Sequence, residues 1–165
     1  MVSEASEASD RAVSLADDFA AANGEAMAFV RGCTDSEWKT PVPGEGWSVG
    51  VVLHHIAVGH GHGVRRIVAV DVLGRLGHPL AAGHVLEPAH AVRMEAVGRD
   101  ETLALLEQNG AQLQSFLRAL SDDELDRTAP FGPAGGRAFS VEALAGVGAR
   151  HTREHLRHAR DALRC

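Results

Sequence analysis

Apolar positions recur at helical spacing in four segments of the chain. The first runs from about Glu4 to Arg31, where Val13, Ala16, Ala20, Met27 and Val30 stand three, four or seven residues apart, and Gly32 ends it. The second starts at Ser48, a good N-cap after Trp47, and carries Val51, Val52, His55, Ile56 and Ile67 to about Leu73 before Gly74. The third runs from about Asp100, read as its cap, to Leu120, with Leu103, Leu106, Leu113, Phe116, Leu117 and Leu120 in one stripe. The fourth starts at the capping residue Ser140 and carries Leu144, Val147, His151, His155 and Ala162 towards the C-terminus.

The stretches Cys33 to Trp47 and Ser121 to Phe139 hold Pro and Gly and read as loops. Arg75 to Arg99 is the longest connection, and part of it, Ala89 to Val97, could form a short helix. A long middle connection predicts an all-α four-helix bundle with a crossover between helices 2 and 3, which then run parallel. Residues 1–165 form one such domain in this reading.

A weak internal repeat accompanies this order. Asp35-Ser-Glu-Trp38, a Pro/Gly loop and Trp47-Ser-Val49 precede the second helix; Asp122-Asp-Glu-Leu125, a Pro/Gly loop and Phe139-Ser-Val141 precede the fourth. Rules for starting helices produce such likeness by themselves. A pseudo-symmetric pair of helical hairpins is the sharper alternative.

Composition narrows the function. Tyr is absent and only two Trp and five Phe are present, so the core is aliphatic. The net charge of −6 argues against a nucleic-acid surface, which needs a basic excess. No apolar run is long enough to cross a bilayer, and Met1 to Asp10 lacks the pattern of a signal peptide, which predicts a cytoplasmic protein. Cys33 and Cys165 make no disulfide framework and are expected as thiols. Neither is a promising nucleophile: Cys33 has no basic partner nearby in sequence, and Cys165 is terminal. The glycines from Gly132 to Gly136 lack a phosphate-cradle pattern and read as turn residues.

Ten histidines are the feature that speaks to chemistry. On the fourth helix His151, His155 and His158 share a stripe with Leu144, Val147, Gly148 and Ala162, so imidazoles point inward where a plain bundle uses Leu or Val. His151 and His155 are one turn apart and can reach one ion. His55 lies on the inward stripe of the second helix, with His54 turned about 100° away towards the rim. If these helices are antiparallel, His55, His151 and His155 stand at similar height and form an open site for a divalent ion such as Zn²⁺ or Ni²⁺. His62 and Arg66 lie further down the same face. They could bind carboxylates of a substrate or cofactor, or form a rim pair meeting solvent and acidic side chains. His158 reads as a supporting group or an exposed helix-end cation.

These motifs resemble the DinB-like (YfiT-like) metal-binding helical bundles. Asp35-Ser-Glu-Trp38, Pro41, Pro43-Gly44, Gly46-Trp47-Ser-Val49 and Leu53-His54-His55-Ile56-Ala57 look like the entry to that family's second helix and its ligand His, here His55. His151-x-x-x-His155 looks like the fourth-helix pair. The first block is also similar to the N-terminal domain of mycothiol-dependent maleylpyruvate isomerase, which usually carries Glu where this chain has His151; its extra C-terminal domain has no counterpart here. The resemblance implies a divalent metal with open positions and frequent homodimers. Its implied activity is a metal-dependent transferase acting on a small-molecule substrate with a low-molecular-weight thiol of the mycothiol or bacillithiol type. The alternatives are a metal-dependent hydrolase and a non-enzymatic metal-binding stress protein. Trp47 is expected to pack at the bundle end near the metal without ligating it, since indole has no free lone pair.

Overall fold

A computed structural model of the chain describes residues 9–76, 97–131 and 137–164. Helix α1 spans Asp10–Gly32 and begins where the Ser9 hydroxyl accepts from the Ala12 amide. The start is thus later than the pattern from Glu4 indicates. Helix α2, Asp35–Trp38, is a single turn closed by a reciprocal box between Thr34 and Glu37. Strands β1 (Pro41–Val42) and β2 (Trp47–Ser48) pair antiparallel with Val42 opposite Trp47. Helix α3, Val49–Leu76, follows at once, and the Ser48 hydroxyl accepts from the Val51 amide as expected of a cap.

The second half repeats these parts. Helix α4 spans Arg99–Arg118, and its N-cap is Gly98 rather than Asp100, which lies in the first turn. Helix α5, Asp122–Leu125, carries the same reciprocal box between Ser121 and Glu124. Strands β3 (Thr128–Phe131) and β4 (Arg137–Ser140) pair antiparallel. Both stretches read as plain loops therefore contain hairpins. Ser140 caps helix α6, Val141–Ala145, and helix α7, Val147–Ala162, follows after Gly146. Gly146 keeps helical dihedrals, and its amide bonds to the Glu142 carbonyl, so the two make up the expected fourth helix with one irregular turn. The expected short helix at Ala89 to Val97 and the Gly132 to Gly136 turn lie outside the described residues, apart from Val97 itself, which is not helical.

Cross-helix contacts fix the directions. Asn109 Nδ2 donates to the Ala57 carbonyl, His54 meets Thr102, and Gly63 lies against Leu113, so α3 and α4 run parallel. Arg118 pairs with Asp17, whereas Asn23 donates to the Leu106 carbonyl, so α1 and α4 are antiparallel. Arg153 pairs with Asp18 and Arg160 with Glu25, so α1 and α7 are parallel. The result is the four-helix bundle with parallel middle helices. No helix among the described residues is long and apolar enough to cross a membrane.

The core has two lobes. Ala26, Val30, Trp38, Leu53, Ile56, Leu106 and Leu156 fill one, and Phe19, Ile67, Leu113, Leu117, Leu125 and Leu144 fill the other. On α1 the buried stripe is Ala12, Ala16, Phe19, Ala22, Ala26 and Val30, turned slightly from the expected one. Small residues there let α1 approach both α4 and α7. Cys33 is buried, and desolvation pushes its thiol pKa up, which keeps it a poor nucleophile.

The likeness of the halves is structural. His60 Nε2 and Thr152 Oγ1 lie 2.9 Å apart, and these residues are 92 positions apart in sequence, the offset that also separates Ser48 from Ser140. Gly59 and His151 share that offset and also face each other, since a Cβ placed on Gly59 would stand 3.7 Å from the His151 ring. Equivalent residues touch one another only near a pseudo-twofold axis, so the axis passes between α3 and α7 at this level.

Candidate metal centre

The buried stripe of α7 is Ala149, Thr152, Leu156, Ala159 and Ala162, which shares Ala162 with the expected stripe and otherwise lies one step round from it. His151, His155 and His158 flank it and face the groove towards α3 and the β1–β2 turn. They are only partly buried, as a site that must admit a ligand requires.

His55 from α3 meets them there. His151 Nε2 lies 3.2 Å from His55 Nε2 and 3.1 Å from His155 Nε2. Four donors placed tetrahedrally about 2.05 Å from a zinc-like ion stand about 3.3 Å from one another. The spacing therefore fits a shared ion, and all three donor atoms lie within 4.8 Å of one another. Neutral imidazole is the ligating form. Burial, followed by the electrostatic influence of His155, His55, His60 and Arg66 nearby, lowers the His151 pKa to about 3.

Glu45 completes the arrangement and was not singled out from sequence. It stands in the β1–β2 turn between Gly44 and Gly46, whose φ of 84° and 71° suit only glycine comfortably. Glu45 Oε1 lies 3.1 Å from His155 Nδ1 and 2.6 Å from His158 Nδ1. Burial raises the Glu45 pKa, but the hydrogen bond from His158 and the charges of both histidines outweigh it, so the carboxyl is held below its usual range. A carboxylate on Nδ1 places the proton there and leaves Nε2 as a lone pair aimed at His55 and His151. Glu45, His155 and His158 also form a second group with mutually close donors. The only sequence signal for Glu45 was its place between two turn glycines just before Trp47.

Trp47 packs its ring 4.9 Å from the His55 ring, covering that imidazole from the hairpin side. His54 is buried rather than at the rim, with its Nδ1 3.3 Å from Thr102 Oγ1, because parallel α4 packs on that side of α3. His62 and Arg66, one turn apart on α3, line different spaces. His62 lines an open groove between α3 and α4 with Arg65 and Asn109, while Arg66 lines a separate cavity beside His151. His60, also passed over from sequence, is buried against Phe19 and Thr152.

A family model described as the DinB superfamily matches residues 18–159. No curated protein matches the sequence. Among solved structures the chain is similar to YfiT from Bacillus subtilis, described as a probable metal-dependent hydrolase with an unusual four-helix bundle topology. The two share 22% identity at a TM-score of 0.74, over 94% of this chain and 85% of that one.

Proposed function

The chain belongs to the DinB superfamily, and from that premise we propose that it is a metal-dependent hydrolase of a small molecule, with His55, His151 and His155 as ligands of one divalent ion of the zinc or nickel type. The observation that carries this reading is the convergence of three imidazole nitrogens, with no fourth donor of the described residues in the same group. A structural zinc site is closed by four protein ligands, whereas three leave room for water or substrate. The bound ion would act as a Lewis acid, polarising a carbonyl and lowering the pKa of water at its open position. The surrounding residues prepare the ligands. Glu45 fixes the tautomer of His155, burial keeps His151 neutral, and Trp47 holds the His55 ring in place.

A thiol transferase is the second reading. The likeness of the segment from Asp35 to Ala57 to the N-terminal domain of mycothiol-dependent maleylpyruvate isomerase favours it, and an open metal position suits a thiolate equally. Tag-free protein should bind one equivalent of Zn²⁺ or Ni²⁺ and then turn over small esters or amides without added thiol. Turnover only with mycothiol or bacillithiol assigns the transferase. A protein that binds neither metal rejects both. Glu45→Gln should weaken zinc binding about 10- to 100-fold, the range for losing a carboxylate behind a histidine ligand, as read by chelator competition. Unchanged affinity would remove Glu45 from the site.

A further inference from the structure

A cavity of about 160 Å³ lies between α3, α4, α6 and α7, and His151 is one of its walls. The pseudo-twofold offset explains why space exists there. The equivalents of His55, His151 and His155 in the opposite half are Val147, Gly59 and Gly63, and all three line this cavity. Where one half carries imidazoles, the other carries one small side chain and two bare backbones.

Three polar groups border it. Thr152 Oγ1 donates to the Gly148 carbonyl at 2.8 Å, so it accepts from His60 Nε2–H. His60 Nδ1 is then a lone-pair acceptor; it is buried, in a residue only 2% exposed, and has no hydrogen-bond partner among the described residues. His151 turns Nε2 to the other histidines, and its opposite edge lies against Gly59, with no hydrogen-bond partner for Nδ1 among the described residues. Arg66 lies at the exposed side, and no carboxylate of the described residues pairs with it. The remaining wall is apolar, including Phe139 and Leu144.

We propose that this cavity takes the apolar body of a small carboxylate about the size of benzoate, with its carboxylate between Arg66 and the Nδ1–H of His151. An engineered apolar cavity of about 150 Å³ holds benzene, which sets the size. A hydroxyl or amide N–H on the apolar body meets Nδ1 of His60. The Nδ1–H of His151 rests on the metal reading above, because a ligand Nε2 leaves the proton on Nδ1. The carboxylate then does for His151 what Glu45 does for His155.

The test uses benzoate and its uncharged counterpart benzyl alcohol, titrated by calorimetry into zinc-free and zinc-loaded protein. Zinc-free protein should bind benzoate about tenfold tighter than benzyl alcohol, and bound zinc should tighten benzoate by threefold or more. Arg66→Gln should abolish the preference for benzoate, and Val147→Phe should weaken both probes more than tenfold while zinc binding by equilibrium dialysis is retained. Equal binding of the two probes by the native protein, or native-like benzoate binding by Val147→Phe, overturns the site. A zinc-dependent gain that is absent, or that survives Val147→Phe, overturns the His151 contact. Loss of zinc binding with probe binding intact refutes the metal reading and leaves the cavity standing.

Discussion

His155→Ala should lower zinc affinity by more than a hundredfold while the far-ultraviolet circular dichroism stays helical. The variant removes one of three donors and cuts the link from Glu45 to the ion, and a smaller side chain on a partly buried helix face leaves the fold intact. The effect on stability follows by mass action. An ion at about 100 times its Kd stabilises the native state by about 2.7 kcal/mol, a rise in Tm of roughly 5–10 °C for a chain of this size. The native protein should show that rise with zinc, and His155→Ala should show none. His158→Ala should weaken zinc less than tenfold, because His158 touches Glu45 and not the three converging nitrogens. Equal losses in the two variants would assign the ion to the group formed by Glu45, His155 and His158 instead. Stoichiometric binding by a His55/His151/His155 triple alanine variant would reject the site.

Gly50→Ala should destabilise the protein by about 3 kcal/mol, lowering Tm by roughly 6–12 °C. A Cβ on Gly50 would stand 2.3 Å from Nε1 and 2.4 Å from Cε2 of Trp38. The indole cannot simply withdraw. It is 9% exposed, packs in one lobe of the core, and its Nε1 donates to the Val97 carbonyl at 3.0 Å. The cost is therefore specific to the ring. In a Trp38→Leu background the added cost of Gly50→Ala should fall below about 1 kcal/mol. The same drop in Tm in both backgrounds would show that the strain lies elsewhere, in the start of α3.

The bundle was readable because it rests on local signals. Leu106, Leu113, Leu117 and Leu120 are all buried, and Ser48 and Ser140 both cap as their positions imply. The hairpins were not readable, since two-residue strands such as Pro41–Val42 are too short for alternation to show. At the site, the convergence of His55 with the α7 pair followed from periodicity plus antiparallel helices. Glu45 did not, because it reaches His155 across 110 residues through a turn whose direction no local pattern sets. His54 and His60 depend on which helix covers each side of α3, a property of packing that one helix's own spacing does not contain. The separation of His62 from Arg66 has the same origin: α4 covers one edge of α3 and α7 the other.

Each half of the chain contributes two long helices, and every major helix interface joins a helix of one half to a helix of the other: α1 to α4, α1 to α7, α3 to α4 and α3 to α7. Neither half can therefore bury its own apolar faces, and no stable subdomain precedes the whole. Folding has to bring residues such as Asp18 and Arg153 together across 135 positions before either half gains from it. A topology of this kind folds slowly for a helical protein and melts in one cooperative step. It also permits exchange of halves between two copies, since a half taken from a neighbouring chain recreates all four interfaces. Concentrated refolding should therefore yield intertwined dimers that dilution releases only as fast as the dimer itself unfolds.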